Sequence, residues 1–227
     1  MLKNWNELPE YMRTDEVRPY YDLLQKKKIS LFFKRVFDIV VSLIMIILCS
    51  PILLIISILI VKDSKGGVFY RQERVTQYGR VFRIFKFRTM VQNADQIGTQ
   101  VTVSNDSRIT KIGNKLRNCR LDELPQLFNI FLGDMTFVGT RPESVHYVKS
   151  YTNEMYATLL LPAGVTSEAS IQYKDEADLL DQADDVDSVY INEVLPEKMK
   201  YNLNSIKEFS FFKEIATMFR TVFAVLR

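Results

Sequence analysis

From Ile39 to Val61 the chain runs 23 residues without a charge, "IVVSLIMIILCSPILLIISILIV". About 20 apolar residues cross the hydrocarbon core of a bilayer as a helix, so this run predicts a membrane helix rather than the buried helix of a soluble core. A signal peptide fits poorly, because the run begins late, is too long and has no small-residue cleavage site after it. Two features set it apart from a simple span. Ser50-Pro51 lies at its middle, where proline removes a helical hydrogen bond and kinks the chain, and a serine hydroxyl beside it can satisfy the carbonyl so released. Basic residues flank both ends: Lys26, Lys27, Lys28, Lys34 and Arg35 before the run, Lys62, Lys65, Arg71 and Arg74 after it. Positive charge marks the cytoplasmic side, so both flanks belong on one side. The pattern favours a kinked, re-entrant helix over a spanning one.

At the C-terminus Phe211, Phe212, Ile215, Met218, Phe219, Val222, Phe223 and Leu226 recur at helical spacing, with Lys213, Arg220 and Arg227 among the polar and terminal positions. This suits a helix lying in the headgroup region or one packed on the domain's own core; the neighbouring membrane segment favours the first. Between the two apolar regions, "DSKGG" reads as a turn, and "VFYRQERV" and "RVFRIFKFRTM" as short strands forming a hairpin around Tyr78-Gly79. "GNKLRNCRLDELPQLFNIFLGDM" is helical in pattern and ends near Gly133; "TFVGTRPES" is a loop; the stretch from Asp175 to Phe209 is acidic, then helical, and broken at Pro196. Together these predict an α+β, helix-rich chain: one cytosolic domain with a small β-hairpin, a kinked re-entrant membrane helix and interfacial amphipathic helices. Its expected divisions are a polar, tyrosine-bearing leader (1–33), the membrane helix (34–62), a catalytic domain (63–195) and a C-terminal amphipathic region (196–227).

Composition narrows the chemistry. A chain of 227 residues holds one good core. Thirty Lys+Arg against 27 Asp+Glu gives +3, too small an excess to point to nucleic acid. Cys49 and Cys119 have no spacing for a zinc site or a disulfide framework and read as reduced structural thiols. His146 is the only histidine, which excludes a histidine pair for a transition metal and leaves a Ser-His-Asp triad only that residue. Beside Tyr147 it reads as structural or solvated. Neither GxxxxGK[ST] nor GxGxxG occurs, so the common glycine-rich phosphate cradles are absent.

What remains is a set of cations where turns belong. Lys86 and Arg88 alternate with Phe85 and Phe87, so both project from one face of a strand. Arg108 follows Asp106, Arg117 and Arg120 are i,i+3 neighbours on a helix, and Arg141 sits in "GTRP". Singly these are surface charges; converging, they would form an anion site, since guanidinium forks match phosphate oxygens. Among them stands Asp122-Glu123 in "LDELP". Acidic residues and a following proline suit the first turn of a helix, with Arg120 and Glu123 as a surface ion pair of little worth. The same pair also suits a reacting centre, in which an aspartate attacks phosphorus to form an acyl phosphate while cations and Mg²⁺ neutralise the anionic target. Spacing alone leaves both readings open.

The motifs "KRVFDIVVSLIMIILCSPILLI", "DSKGGVFYRQERV", "FRIFKFRTM", "RITKIGNKLRNCRLDELPQLFNIFLGDMTFVGTRP" and "YINEVLPEKMKYNL", in this order from about Lys34 to Val225, resemble those of the bacterial sugar transferases, the monotopic polyprenyl-phosphate phosphoglycosyl transferases. The resemblance implies a re-entrant helix broken at Ser50-Pro51, with Lys34-Arg35 at headgroup level and the catalytic domain on the cytoplasmic face of the bacterial inner membrane. It makes Asp122 the nucleophile on the β-phosphate of a UDP-sugar, with UMP expelled and the phosphosugar held covalently. A polyprenyl phosphate, expected to be undecaprenyl phosphate, then takes the phosphosugar, the first membrane step of a surface glycan. Glu123 becomes the Mg²⁺ ligand, and Lys86, Arg117, Arg141 and, more weakly, Arg88 the phosphate-binding cations. Expected partners are UDP-sugar, polyprenyl phosphate and membrane lipid, not nucleic acid; a homo-oligomer is left open. The chain departs from the family's pattern at Gly66-Gly67, Arg74-Val75-Thr76, Gly139-Thr140-Arg141-Pro142 and the stretch from Pro162, "PAGVTSEASIQYKDE". The last of these places the choice of sugar in doubt. Without the multi-span N-terminal domain of larger relatives, the expected type is a compact catalytic core. Two other readings stand beside it: a non-catalytic membrane-anchored scaffold of the same fold, and a lipid phosphatase using Asp122.

Overall fold

The computed structural model describes residues 2–94, 106–173 and 185–225. The acidic stretch expected at 175–184 and the terminal Leu226 and Arg227 lie outside the described residues. After two short turns and helix α1 (Arg18–Gln25), the apolar run forms most of α2 (Lys28–Asp63), 36 residues long and thus about 54 Å at 1.5 Å per residue. Its length and composition suffice to cross a membrane. Pro51 sits inside α2 without interrupting it. Proline has no N–H to give the carbonyl four residues back; the Ser50 hydroxyl donates to that carbonyl, Ile47 O, at 2.8 Å.

One stripe of α2 is buried: Lys34, Asp38 and Ser42 in the first half, Leu53, Ile56 and Ile60 in the second. The opposite face, including Val40, Leu43, Ile47, Leu48, Leu54, Ile55 and Ile58, is exposed. Both halves hold the same domain. Lys34 Nζ donates to Val138 O (2.8 Å) and to Glu214 Oε2 (2.5 Å). Asp38 accepts from Thr136 Oγ1 (2.7 Å) and the Phe137 N–H (3.3 Å). At the far end Asp63 accepts from the Ile112 N–H at 3.0 Å, and Leu53, Ile56 and Ile60 pack with Phe87 and Leu116.

The expected hairpin forms as two paired segments. β2 (Glu73–Val75) runs antiparallel to β3 (Val81–Arg83), and β1 (Phe69–Tyr70) to β4 (Lys86–Phe87). Tyr78 (φ 59°) and Gly79 (φ 73°) make the turn. The helix expected over 113–133 is broken. α3 (Lys111–Asn118) ends before Arg120, which is left-handed (φ 56°), and a 3₁₀ turn (Leu121–Glu123) leads into α4 (Gln126–Leu132). Arg120 is therefore not a helical neighbour of Arg117. Gly133 (φ 90°) closes α4, as expected, and Arg35 donates to the last carbonyls, Ile130 O and Phe131 O.

The segment expected as a loop after Gly133 begins with β5 (Met135–Val138), which pairs in parallel with β6 (Ala163–Thr166) across helix α5 (Val145–Val148). Helix α6 (Glu168–Gln172) follows. Pro196 does not break the last part of the domain: α7 (Val186–Val189) continues through a π turn (Tyr190–Val194) into α8 (Leu195–Lys207). The wider turn, closed by the Leu195 N–H on Tyr190 O, carries the helix past the missing proline donor. The leader is part of the main core, with Leu8, Met12, Val17, Tyr20, Tyr21 and Leu24 buried against Tyr151, Leu160, Leu195, Met199 and Leu203. Helix α9 (Phe211–Val225) exposes Phe212, Phe219, Val222 and Phe223 and turns Glu214 and Thr217 inward.

Gly164 fixes the β5–β6 crossing. A Cβ there would lie 2.2 Å from Gly139 N and 2.3 Å from Gly139 O, backbone that cannot rotate away. Gly164→Ala is expected to destabilise the domain by about 2 kcal/mol or more, read as a lowered midpoint in chemical or thermal unfolding followed by circular dichroism.

Candidate active site

Three sequence-distant segments meet at Glu123. The Thr110 hydroxyl caps α3 by accepting from the Gly113 N–H at 3.0 Å. Gly113 then lies so close to the strand end that a Cβ would sit 2.0 Å from Thr89 O. This approach brings the Arg117 Nε within 2.9 Å of Thr89 Oγ1. The left-handed Arg120 redirects the chain, and the 3₁₀ turn presents Asp122 and Glu123. Glu123 Oε1 accepts from Lys86 Nζ at 2.7 Å and Arg141 Nη2 at 2.6 Å. Asn129, fully buried on α4, holds the hairpin to the dyad's helix. Its Oδ1 accepts from the Phe85 N–H (2.7 Å), and its Nδ2 donates to Arg83 O and Asp134 Oδ2 (3.2 Å each).

The two carboxylates differ sharply. Burial pushes Glu123 up, but the charges and hydrogen bonds of Arg141 and Lys86 outweigh it and hold the carboxyl well below its ordinary range. Burial also pushes Asp122 up; Lys86 and Arg117 oppose, the Glu123 charge adds, and the net direction is upward. Burial lowers Lys86, partly offset by Glu123, and lowers Arg117, which stays a cation. A carboxylate of raised basicity beside one held as an anion, with several cations around both, marks this cluster as a candidate reacting centre.

Of the residues expected at the site, Asp122, Glu123, Lys86, Arg117 and Arg141 converge. Arg88 does not reach Glu123. Its Nε donates to Gly67 O, Nη1 to Ser64 Oγ and Lys65 O, and Nη2 to Ser64 O, at 2.6–3.0 Å, so it ties the segment after α2 to the end of β4. Arg108 grips Asp106 with Nε and Nη2, at 2.9 and 2.5 Å, and pushes that carboxyl down to about 2. Ser50 and Pro51 are exposed and lie within α2, which continues through them, so the expected break in the helix is not seen there. His146 Nε2 stands 3.8 Å from Asp187, both more than half exposed. The cysteines are unpaired.

Sequence reasoning missed Thr89, Asn129 and the surroundings of Arg141. The Val75 N–H donates to Glu143 O (2.9 Å), while Glu143 Oε1 accepts from Tyr190 OH (2.7 Å) and stands 3.6 Å from Lys198 Nζ. These contacts pin the loop carrying Arg141, and Arg74 lies within electrostatic reach of both Arg141 and Glu143. Their neighbourhood was visible only as motif letters ("RQERV", "FRTM", "LFNIF", "GTRPE").

The family model of the bacterial sugar transferases matches residues 29–227, and the chain belongs to that family. Three relatives give the range. The UDP-N-acetylgalactosamine-undecaprenyl-phosphate N-acetylgalactosaminephosphotransferase of Aeromonas hydrophila is 36% identical, over 86% of this chain and 44% of the relative. The UDP-glucose:undecaprenyl-phosphate glucose-1-phosphate transferase of Klebsiella pneumoniae is 36% identical, over 86% and 40%. The undecaprenyl-phosphate galactose phosphotransferase of Salmonella typhimurium is 31% identical, over 88% and 42%. The chain spans less than half the length of these relatives.

Directly after the dyad, Gln126 is 2% exposed and its Nε2 has no hydrogen-bond partner among the described residues. An unpaired buried donor carries a desolvation cost that an apolar isostere lacks. Gln126→Met is expected to raise unfolding stability by about 1 kcal/mol, measured by denaturant titration.

Proposed function

We propose that this chain transfers a phosphosugar from a UDP-sugar to a polyprenyl phosphate, undecaprenyl phosphate by analogy with the relatives' names. The observation that carries the reading is the opposite displacement of two adjacent carboxylates: Glu123 fixed as an anion by Lys86 and Arg141, Asp122 raised in basicity at its side. An Asp122 oxygen attacks the β-phosphorus. The bond from that phosphorus to the oxygen bridging the α-phosphate breaks, and UMP departs with the bridging oxygen, leaving an aspartyl-phosphosugar. A phosphate oxygen of the polyprenyl phosphate then attacks the same phosphorus, restoring the carboxylate and giving the polyprenyl-diphosphate sugar. Lys86, Arg117, Arg141 and Arg74 supply the charge that draws the diphosphate to a carboxylate that otherwise repels it.

Mg²⁺ belongs to the same proposal. Among the described residues no group of three or more His, Cys, Asp and Glu gathers. A hard cation held by one or two carboxylates and substrate phosphate oxygens needs no such group, and Glu123, ionised across ordinary pH, is the side chain to hold it. Bound there, it would neutralise phosphate charge.

A re-entrant placement of α2 is supported by its contacts. Lys34 and Asp38 near one end and Asp63 at the other bond the same domain, so both ends belong on one side. The exposed stripe of α2 and the phenylalanines of α9 are the surfaces for lipid. With basic residues flanking both ends of the run, the domain in this proposal lies on the cytoplasmic face of a bacterial inner membrane.

Asp122→Asn is expected to cut UMP release from UDP-sugar, polyprenyl phosphate and Mg²⁺ at least a thousandfold and to abolish the phosphosugar adduct seen by intact-protein mass spectrometry. Chelating the metal is expected to stop wild-type turnover. Undiminished release by Asp122→Asn would overturn the assignment, and an adduct-free but active wild type would exclude the covalent route. The pH profile gives a second check. Attack requires ionised Asp122, so activity falls as pH drops through its raised pKa. Lys86 opposes that rise, so Lys86→Met is expected to move the acid limb to higher pH, read from rate against pH.

A further inference from the structure

Resting on that reading, we infer that a cleft between α6, α8 and α9 receives the glycosyl group of the donor, and that Asn202 and Glu168 read its hydroxyls. The cleft has a volume of about 450 Å³, the size of a small-molecule site. Its charge balance separates it from the dyad. Lys213 pairs with Glu208 at 2.9 Å, Arg220 with Glu168 at 2.7 Å, and Glu214 with Lys34 at 2.5 Å. Every Lys and Arg among its described lining residues thus has a carboxylate partner. A diphosphate gains little there, while a neutral polyol finds carboxylates and amides suited to its hydroxyls. Around the dyad the balance is reversed, with Lys86, Arg117 and Arg141 facing the two carboxylates.

Two polar groups in the cleft lack full partners. Asn202 is 4% exposed, and among the described residues its amide nitrogen has only the Met199 sulfur, at 3.8 Å, as a hydrogen-bond partner. Sulfur is a weak acceptor, so a buried amide facing a cleft is left to bond whatever enters. Glu168 receives Thr217 Oγ1 (2.9 Å) and Arg220 Nη1 (2.7 Å), both on Oε1, and Oε2 makes no hydrogen bond among the described residues. A carboxylate held so on one oxygen presents the other as an oriented acceptor.

The cleft wall runs into the loop that carries Arg141. Gly139 and Thr140 form part of its wall and directly precede Arg141, whose guanidinium is 2.6 Å from Glu123. In the inferred pose, a β-phosphate held by Arg141 would direct its sugar toward residues 139–140. Relatives named for N-acetylgalactosamine, glucose and galactose share the family, so sugar choice must rest on groups outside the phosphate-handling set. Glu168 stands in the stretch after Pro162 where this chain departs from the family's pattern.

The test measures binding by calorimetry with the full chain carrying Asp122→Asn, so that it does not depend on turnover. UDP and a panel of UDP-hexoses and UDP-N-acetylhexosamines are titrated into this parent, and into the same chain carrying Asn202→Leu or Glu168→Gln. Each added change is expected to weaken the preferred UDP-sugar about tenfold, the loss of one oriented hydrogen bond, while leaving UDP unchanged. Unchanged affinity for both ligands, or parallel loss of both, would overturn the assignment. Asn202→Leu replaces an underpaired amide by an apolar side chain of similar size, so folding is preserved, and thermal melts of each variant check this. Failure of the transfer reading appears separately, as absence of UMP release by the wild type.

Discussion

The site depends on one oxygen, Glu123 Oε1, holding two cations from separate segments of the chain. Lys86 comes from β4 and Arg141 from the loop after β5, segments that share no backbone pairing with each other. Side-chain exposure is 14% for Glu123 and 24% for Lys86 but 38% for Arg141, so water screens the carboxylate and Lys86 poorly while Arg141 keeps contact with solvent. Burying such charges is costly, and only mutual pairing with good geometry offsets it. The position of each segment is therefore coupled to the others. Withdraw the carboxylate and two like charges are left facing each other in a poorly hydrated place.

That constraint sets the character of Asp122. Backbone geometry makes the two carboxylates neighbours, and like charges at that separation raise the proton affinity of one member. Glu123 has taken the close cations, so Asp122 is the member that rises. Its remaining compensation comes from Lys86, already engaged, and from Arg117, held on Thr89. A carboxylate so placed is a better nucleophile than a fully paired one, whose lone pairs are taken up by guanidinium. In the proposed reaction the incoming diphosphate then supplies anions to cations that are only partly neutralised.

Much of this could be read from residue order, and the gaps have definite physical causes. The apolar run, its serine-backed proline and the Tyr78-Gly79 turn are local features, governed by length, a missing N–H and positive φ, so sequence was enough to place them. The helix over 113–133 was misread because the break depends on Arg120 adopting a left-handed conformation, which no glycine announces; the close packing of Gly113 on Thr89 and the dyad's pairing hold it there. Pro196 was misread as a stop because a π turn, rare on any prior, absorbs the lost hydrogen bond. Arg88 and Lys86 alternate correctly along the strand, but their partners are 20 to 40 residues away, and periodicity carries no information about which cation finds which acceptor. Asn129 and the leader's aromatic residues show the same limit, since their importance lies entirely in long-range packing.

The placement of α2 follows from a conflict between its two faces. Lys34 and Asp38 are buried on the domain side, bonded to β5 and to α9, whereas the exposed positions from Ile39 to Val61 are apolar except for Ser50. A helix crossing a bilayer far from its domain has no use for an ionic stripe at one end and an Asp63 anchor at the other. A helix held lengthwise against its own domain needs both, because the domain-side groups must be satisfied where water is scarce while the outer face meets hydrocarbon. The same helix that carries the long exposed apolar face thus braces β5, from which the Arg141 loop departs toward Glu123. The long apolar face and the Arg141–Glu123 contact are joined through one stretch of chain, which in the proposed reaction would bring an acceptor phosphate on a lipid tail near the dyad.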